Sequence, residues 1–453
     1  MKTRVGVISL GCAKNLVDTE VMLGHLDRAG AELVSVPEDA DVIVVNTCGF
    51  IDAAREESIE TILQAARLKE QGRARRLVVA GCMVQRYAGE LRRELPEVDA
   101  FIGLDELHEI VPRALPGKQL LQISPQAEGG RPEWGPARYL YDDATPRRRS
   151  TSPWTAYVKI AEGCDHTCSF CAIPSFRGTF RSRQPESVIR EAGLLAQRGV
   201  REISLIAQDS SHYGRDLGRK HGLVELLTGL DAVPELRWVR LHYLYPNTCD
   251  QRLIDAMAAL PRVVKYVDMP LQHADGGVLG RMRRGGDGDR HLVLLERFRR
   301  AMPDAALRST FIVGFPGETD EEFETLLGFV EAARFDHLGV FTYSHERGTA
   351  AGELQDDVPA EVKTARKDRL IGLQAGIATQ RHRRWIGRRV ETVIEGPHPE
   401  TDLLLAGRMS TQALDVDGQV LINDGTADAG RFVAVEITDV AGYDVVGRIV
   451  GAA

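Results

Sequence analysis

Gly163-Cys164-Asp165-His166-Thr167-Cys168-Ser169-Phe170-Cys171 sets three cysteines at C-x3-C-x2-C spacing on one short loop. The loop follows a strand-like run over 156–161, so its thiols stand just past a strand's carboxyl end. Three thiolates held this close can wrap three irons of a cubane cluster and leave the fourth iron open, and thiolates are the soft ligands such clusters need. The alternative is a structural zinc knuckle, which closes its shell with a fourth ligand; His166 would supply it. Beyond the loop, strand patterns recur with helices between them, over 202–207, 237–244, 265–269, 307–314 and 337–343. Six strand-helix units predict a partial or full parallel barrel with its functional face at the strand ends.

Upstream, strands over 4–10, 40–46 and 76–80 alternate with helices over 16–29, 53–69 and 84–95. Short continuous apolar runs between amphipathic helices predict a doubly wound parallel sheet, where ligands sit beyond the carboxyl ends of strands. Cys12, Cys48 and Cys82 each follow one of these strands by one to three residues, so all three are expected on the same edge. Taken singly, each reads as a buried core thiol. Together they make a second site of three thiolates, and six of the seven cysteines are then explained. Cys249 is left over as a packed thiol.

The 453 residues are too many for one ordinary core, and 43% hydrophobic with 27% charged content is that of a globular protein. No apolar run approaches the roughly 18 residues of a membrane span. The run before Cys12 is too short for a lipidated export signal and leads straight into a helix. A cytoplasmic protein is the expectation, with cysteines serving as ligands rather than disulfides. Residues 116–152 lose periodicity and carry Pro, Gly and charge, including the stretch 129–132 and the basic run 147–149, which reads as a linker or strap. A polar helix over 359–385 ends in Arg381, Arg383, Arg384, Arg388 and Arg389. Both basic runs could touch RNA, and a solvated surface is the plainer account.

After the helix come short strands over 390–394, 413–415, 419–422, 432–439 and 443–450, the pattern of a small β-barrel. Between Val390 and Ala453 there are eleven acidic and three basic residues, a net −8 equal to that of the whole chain. A barrel so acidic is repelled by phosphates and is expected to prefer a basic protein partner.

The Cys164 loop and the strand-helix array behind it resemble the radical S-adenosylmethionine (SAM) enzymes. The resemblance implies a 4Fe-4S cluster on Cys164, Cys168 and Cys171 whose open iron binds SAM, and a radical that abstracts hydrogen from an unreactive carbon, which no ordinary base can deprotonate. It also implies SAM contacts from Gln208 and Asp209, at the end of the second barrel strand. The same holds for Gly314 and Glu318 in Ile312-Val313-Gly314-Phe315-Pro316-Gly317-Glu318. A plain strand-to-helix turn and loop capping explain these four residues about equally well. His242 and His273, near successive strand ends, read as structural histidines, and neither Glu318 nor Asp209 has a partner that would make it an acid-base catalyst.

Adding Gly11-Cys12-Ala13-Lys14-Asn15, Asn46-Thr47-Cys48-Gly49-Phe50 and Ala80-Gly81-Cys82-Met83 makes the chain similar to the methylthiotransferase family over nearly its whole length. This implies an α/β chain with a doubly wound cluster domain over 1–115, a linker over 116–152, a radical SAM (β/α)6 partial barrel over 153–386 and a TRAM-type antiparallel β-barrel over 387–453. It further implies two 4Fe-4S clusters, with Cys12, Cys48 and Cys82 holding the one that delivers sulfur, and SAM as both methyl donor and radical source.

Two branches of the family modify different targets, a transfer RNA adenosine or the β-carbon of an aspartate in the twelfth small-subunit ribosomal protein. The motifs around Cys12 to Asp18, Ala172-Ile173-Pro174-Ser175-Phe176-Arg177-Gly178 and Leu271-Gln272-His273-Ala274 resemble the ribosomal-protein (RimO-type) branch, although Ala13 replaces its expected proline. That branch implies a basic ribosomal protein, free or on the ribosome, and a reductant protein as partners, with no transfer RNA. A reading of another class is an iron-sulfur electron carrier or sensor without catalysis.

Overall fold

In the first sheet, strands β1 (Arg4–Ser9), β2 (Glu32–Val34), β3 (Val42–Thr47), β4 (Arg76–Gly81) and β5 (Ala100–Ile102) lie parallel in the order β2-β1-β3-β4-β5. The computed structural model describes residues 2–115, 117 and 135–453. Alternate residues of β3 and β4 feed two cores. Val42, Val44, Val78 and Ala80 pack on one face and Ile43, Val45, Leu77 and Val79 on the other. A parallel sheet covered on both sides explains why these strands read as continuous apolar runs. Helices α1 (Ala13–Arg28), α2 (Asp52–Glu70) and α3 (Cys82–Glu94) follow β1, β3 and β4 respectively.

The central region holds six parallel strands: β6 (Thr155–Lys159), β9 (Glu202–Ile206), β10 (Trp238–Leu241), β11 (Tyr266–Asp268), β12 (Ala306–Val313) and β13 (His337–Thr342). A short antiparallel pair, β7 (Ala161–Glu162) with β8 (Arg181–Ser182), brackets the Cys164 loop. Pairing runs β6-β9-β10 and β11-β12-β13, and the Val239–Val263 bridge joins the two halves. No ladder joins β6 to β13 among the described residues, so the barrel is open there. Helix α1 packs beside this gap, with Val17 and Val21 against Tyr157 and Ile206.

Residues 135–152 act as a strap. Tyr141 is buried, and Arg147 reaches Glu20 at 2.5 Å and Glu191 at 2.7 Å, tying α1 to the central region. The stretch 129–132 lies outside the described residues. The basic residues at the end of the long helix (Ala360–His382) are also used internally: Arg381 and Arg384 pair with buried Asp336, and Arg388 pairs with Asp304.

The C-terminal barrel closes in the order β14 (Arg389–His398), β15 (Thr401–Met409), β16 (Val420–Asp424), β18 (Asp444–Ala452), β17 (Phe432–Ala441). An odd number of strands cannot close with every neighbour antiparallel, and the β16–β18 pair is the parallel one. Two sequence expectations change here. β15 was not expected as a strand, because Leu403, Leu404 and Leu405 break the alternation, and Leu403 is 86% exposed. Residues 413–415 were expected as a strand and instead form a turn, with Asp415 at φ +63°.

This barrel caps the amino-terminal ends of the central strands. Trp154 donates to Glu395, Trp238 to Glu391 and Tyr266 to Asp417, while Glu202 accepts from Arg240 at 2.9 Å and from Arg408 at 2.6 Å. Part of the barrel's acidity is therefore spent on docking. Burial pushes the Glu202 carboxyl up, but Arg408 and Arg240 outweigh it and hold the group at about 2. A carboxyl held below its ordinary value near 4.3 stabilises the fold above that pH, and the contribution disappears as pH falls toward 2. Glu202→Gln leaves two buried guanidinium groups short of charge and is expected to cost about 3 kcal/mol at neutral pH. Its melting temperature should approach that of the parent between pH 5 and pH 2; a constant gap across that window would refute the assignment.

Candidate active site

The three N-terminal cysteines stand at the carboxyl ends of adjacent strands β1, β3 and β4. Cys12 caps α1 with an extended backbone, Cys48 lies one residue past β3 and Cys82 opens α3. Glycines allow this crowding. Gly11 has φ +86°, and a side chain there would bring a Cβ to 2.8 Å from Cys48 Cβ. Gly81 has φ +101°, and a Cβ there would collide with Asn46 Oδ1 and the Thr47 carbonyl. Gly81→Ala is expected to displace Cys82 and, with Cys82 holding one of two cubanes as the resemblance implies, to lower the iron content of anaerobically reconstituted protein by about half. Unchanged iron would separate Cys82 from metal binding.

In the central loop, Gly163 has φ +81° and the Cys164 amide donates to the Gly178 carbonyl at 3.0 Å. The Cys171 amide donates to Cys168 O at 3.1 Å, which curls the loop so that its thiols face inward. His166 is engaged elsewhere: its Nε2 lies 2.7 Å from Asp209 Oδ2 and its ring stacks on Tyr245 with centroids 3.8 Å apart. Among the described residues, no three His, Cys, Asp or Glu side chains converge as a single metal ion requires. The fourth ligand a zinc knuckle would take from this loop is thus engaged elsewhere, and the three thiolates remain as the donor set of a cluster with one open iron.

Both triads open into one cavity of about 390 Å³ lined by all six cysteines. Its wall contains Lys14, Arg177, Arg284 and Arg308 and no carboxylate among the described residues, together with apolar Phe50, Phe170, Ile173, Phe176, Leu244 and Phe341. This electropositive, largely apolar chamber suits anionic metal-sulfur groups and a carboxylate-bearing cosubstrate. Arg177 Nη2 donates to Cys82 Sγ at 2.9 Å. Burial pushes the Cys82 and Cys171 thiols up to about 12 and the Cys164 thiol to about 11. Burial also pushes Cys12 up, but Lys14, Arg177 and two backbone amides bring it below its ordinary value.

The residues expected to contact SAM are placed differently from one another. Gln208 lines the cavity, donates to Glu162 at 2.7 Å and leaves its buried Oε1 without a partner. That orphan acceptor fits an ammonium or amine donor. Asp209 lies behind the wall, accepting from Ser211 N at 2.9 Å and holding His166. Gly314 and Glu318 are also set back from the wall. Gly314 has φ +71° and abuts the Lys363 side chain, while Glu318 accepts from Arg366 at 2.9 Å and from the Phe315 amide at 3.1 Å. His242 pairs with Asp268 and His273 accepts from the Asp275 amide, and each leaves its buried Nε2 without a hydrogen-bond partner; Cys249 is a buried thiol beside the Tyr245 carbonyl.

Sequence reasoning did not single out Tyr243, Tyr245, Arg284 or Arg308, all in the wall. One signal was available: Arg308 is the one charged residue in the strand stretch Ala306–Val313. Tyr243 at φ +61° and Gln272 at φ +75° are strained non-glycine residues whose placement only the fold reveals.

A parallel barrel with a three-cysteine loop at its mouth, facing a second cysteine triad on an adjoining sheet, defines a radical SAM enzyme with an auxiliary centre. Family models agree: the uncharacterized protein family UPF0004 matches residues 4–103, the radical SAM superfamily 158–330 and the TRAM domain 386–450. Among solved structures, the fold is similar to the radical SAM methyltransferase TsrM of Kitasatospora setae. The TM-score is 0.55 at 16% identity, covering 78% of this chain and 77% of that one. It is also similar to the cobalamin-dependent radical SAM enzyme OxsB, with TM-score 0.52 at 13% identity, covering 83% and 56%.

Curated relatives are much closer. The chain is 51% identical to the ribosomal protein uS12 methylthiotransferase RimO of Solibacter usitatus, covering 98% of this chain and 94% of that one. It is 46% identical to RimO of Geobacter sulfurreducens, covering 99% of each. The chain belongs to the ribosomal protein uS12 methylthiotransferase family of radical SAM transferases.

Proposed function

We propose that this protein places a methylthio group on the β-carbon of an aspartate in the small-subunit ribosomal protein uS12. The observation that carries the reading is the convergence of two cysteine triads, from two different sheets, on one cavity. On this reading Cys12, Cys48 and Cys82 hold one 4Fe-4S cluster and Cys164, Cys168 and Cys171 the other. When bound there, the clusters and SAM supply the hydrogen-abstracting and sulfur-holding chemistry that an unactivated carbon requires.

The chain's own side chains then bind, orient and exclude water. Gln208 Oε1 is free to accept from the SAM ammonium. Asp209 fixes His166 against Tyr245, and Gly314 and Glu318 shape the turn after β12 that supports the wall from behind. The aromatic and aliphatic lining keeps water from a reactive centre.

Exposed Glu400, Asp402, Asp424, Asp428 and Asp439 on the C-terminal barrel favour a basic protein over transfer RNA as the target. On the same reading the protein acts in the cytoplasm with a reductant protein, on uS12 met free or on the ribosome. No helix among the described residues is long and apolar enough to cross a membrane. The test is anaerobic incubation of reconstituted protein with SAM, dithionite and uS12. The expected result is 5'-deoxyadenosine together with a methylthio mass gain on uS12. Intact clusters without 5'-deoxyadenosine would return the protein to the electron-carrier class, and modification of transfer RNA alone would reassign the target.

A further inference from the structure

Lys14 is more than nine-tenths buried, 7% exposed, yet it lines the cavity beside Cys12. Its Nζ donates to the Ala207 carbonyl at 3.0 Å and sits 3.5 Å above the Tyr243 ring. An ammonium has three donors, and no carboxylate among the described residues lies within 4.0 Å of this one. Its neighbours differ. Arg177 pairs with Asp18 and Glu162, and Arg308 pairs with Asp268 and Asp417. Arg284 also lacks a carboxylate, but it belongs to the other triad, with Nη1 3.8 Å from Cys168 Sγ and Nη2 on the Pro270 carbonyl. Among the described residues, one of its three N–H donors has an oxygen acceptor, the Ala207 carbonyl, so the head group can take an acceptor oxygen from a molecule that enters the chamber.

We propose that Lys14 recognises the side-chain carboxylate of the target aspartate and so sets the specificity of the site. The proposal rests on the function argued above. The reacting β-carbon must lie within reach of both triads, and the carboxylate is one bond away. Lys14 spans that position, because it is rooted in α1 next to Cys12 while its head group touches Ala207 and Tyr243 of the central barrel. A neutral side chain in place of the aspartate can accept a hydrogen bond but brings no charge to the ammonium, so it is held more weakly.

The test uses reconstituted holoenzyme and measures binding of labelled uS12, with its target residue as aspartate or replaced by asparagine, alongside the KM for SAM and the iron content. The parent enzyme should prefer aspartate by roughly 10- to 100-fold, the range of a buried hydrogen bond to a charged group. In Lys14→Gln the preference should collapse to about twofold, and Lys14→Arg should restore part of it, with iron held near eight per chain throughout. A preference that survives in Lys14→Gln overturns the proposal. So does a raised KM for SAM with the preference intact, which assigns Lys14 to the SAM carboxylate. Iron falling to about four per chain in Lys14→Gln overturns it as well, by assigning Lys14 to the cluster. Failure of the function itself looks different: the parent enzyme would then leave uS12 unmodified while these binding ratios could still be read.

Discussion

Replacing Cys12, Cys48 and Cys82 together by alanine is expected to bring methylthio transfer to uS12 down to the uncatalysed background, while SAM is still cleaved within a few-fold of the parent rate. Replacing Cys164, Cys168 and Cys171 is expected to abolish both. The asymmetry follows from position. The second triad lies on its own loop, pinned by Gly163 and by the Cys164–Gly178 and Cys171–Cys168 backbone hydrogen bonds, none of which involves the first sheet. The first triad hangs from β1, β3 and β4, and its loss leaves the barrel strands and the Gln208 side of the cavity in place. Each triple variant should hold about four irons per chain against about eight in the parent. 5'-Deoxyadenosine by chromatography, uS12 mass and iron content are measured on one preparation. Loss of SAM cleavage in the N-terminal variant, with four irons retained, would show that the two triads do not divide the chemistry in this way.

How far such a division could be read without the fold depends on sequence distance. Strand-helix alternation and the strand-end cysteines were local patterns, so both triads and both parallel sheets were visible. Helix α1 begins at Ala13 rather than near residue 16, because Cys12 is its cap and Gly11 turns the chain at positive φ, whereas the apolar period starts only at Leu16. In the C-terminal barrel, three successive leucines in β15 hid a strand whose outward face tolerates Leu403 in solvent. The ion pairs that hold the charged wall of the cavity from behind were not visible. Lys159 meets Asp18 across 141 residues and Arg177 meets Asp18 across 159, so no window of sequence contains both partners. The barrel's acidity is countable from the sequence, but that Glu391, Glu395 and Asp417 dock on Trp238, Trp154 and Tyr266 of the central region is not.

Arg177 is the residue where those long-range contacts meet, and Arg177→Met is expected to cost about 3–5 kcal/mol. The guanidinium is 3% exposed. Nη1 donates to both oxygens of Glu162 at 2.9 Å, and Nη2 donates to Asp18 at 3.1 Å and to Cys82 Sγ at 2.9 Å. Lys159 completes the cluster, 2.5 Å from Asp18 and 2.7 Å from Glu162. Two carboxylates and two cations balance, and removing Arg177 leaves a buried net negative charge with a thiol beside it. Methionine fills the space without the charge, so packing loss alone cannot account for the effect. At about 2–4 °C per kcal/mol for a large domain, a fall in melting temperature of roughly 10 °C is expected.

The sign of the pH dependence distinguishes this from a generic defect. Burial raises the Glu162 carboxyl, and Arg177 followed by Lys159 more than reverses it, holding the group well below the usual carboxylate range. Its contribution is therefore present above the ordinary carboxylate value and fades as pH drops. Without Arg177 the carboxyl protonates earlier, so the acid-unfolding midpoint should move to higher pH. Arg177→Lys should recover part of the stability at neutral pH, since it restores charge, but a single ammonium cannot fork across Glu162, Asp18 and Cys82. Because Asp18 and Cys82 lie on helices α1 and α3 beside the first sheet while Lys159, Glu162 and Arg177 belong to the central region, the same variants should lose methylthio transfer more steeply than SAM cleavage. Equal losses of the two activities, with an unmoved acid midpoint, would mean that Arg177 does not hold the two triads in register.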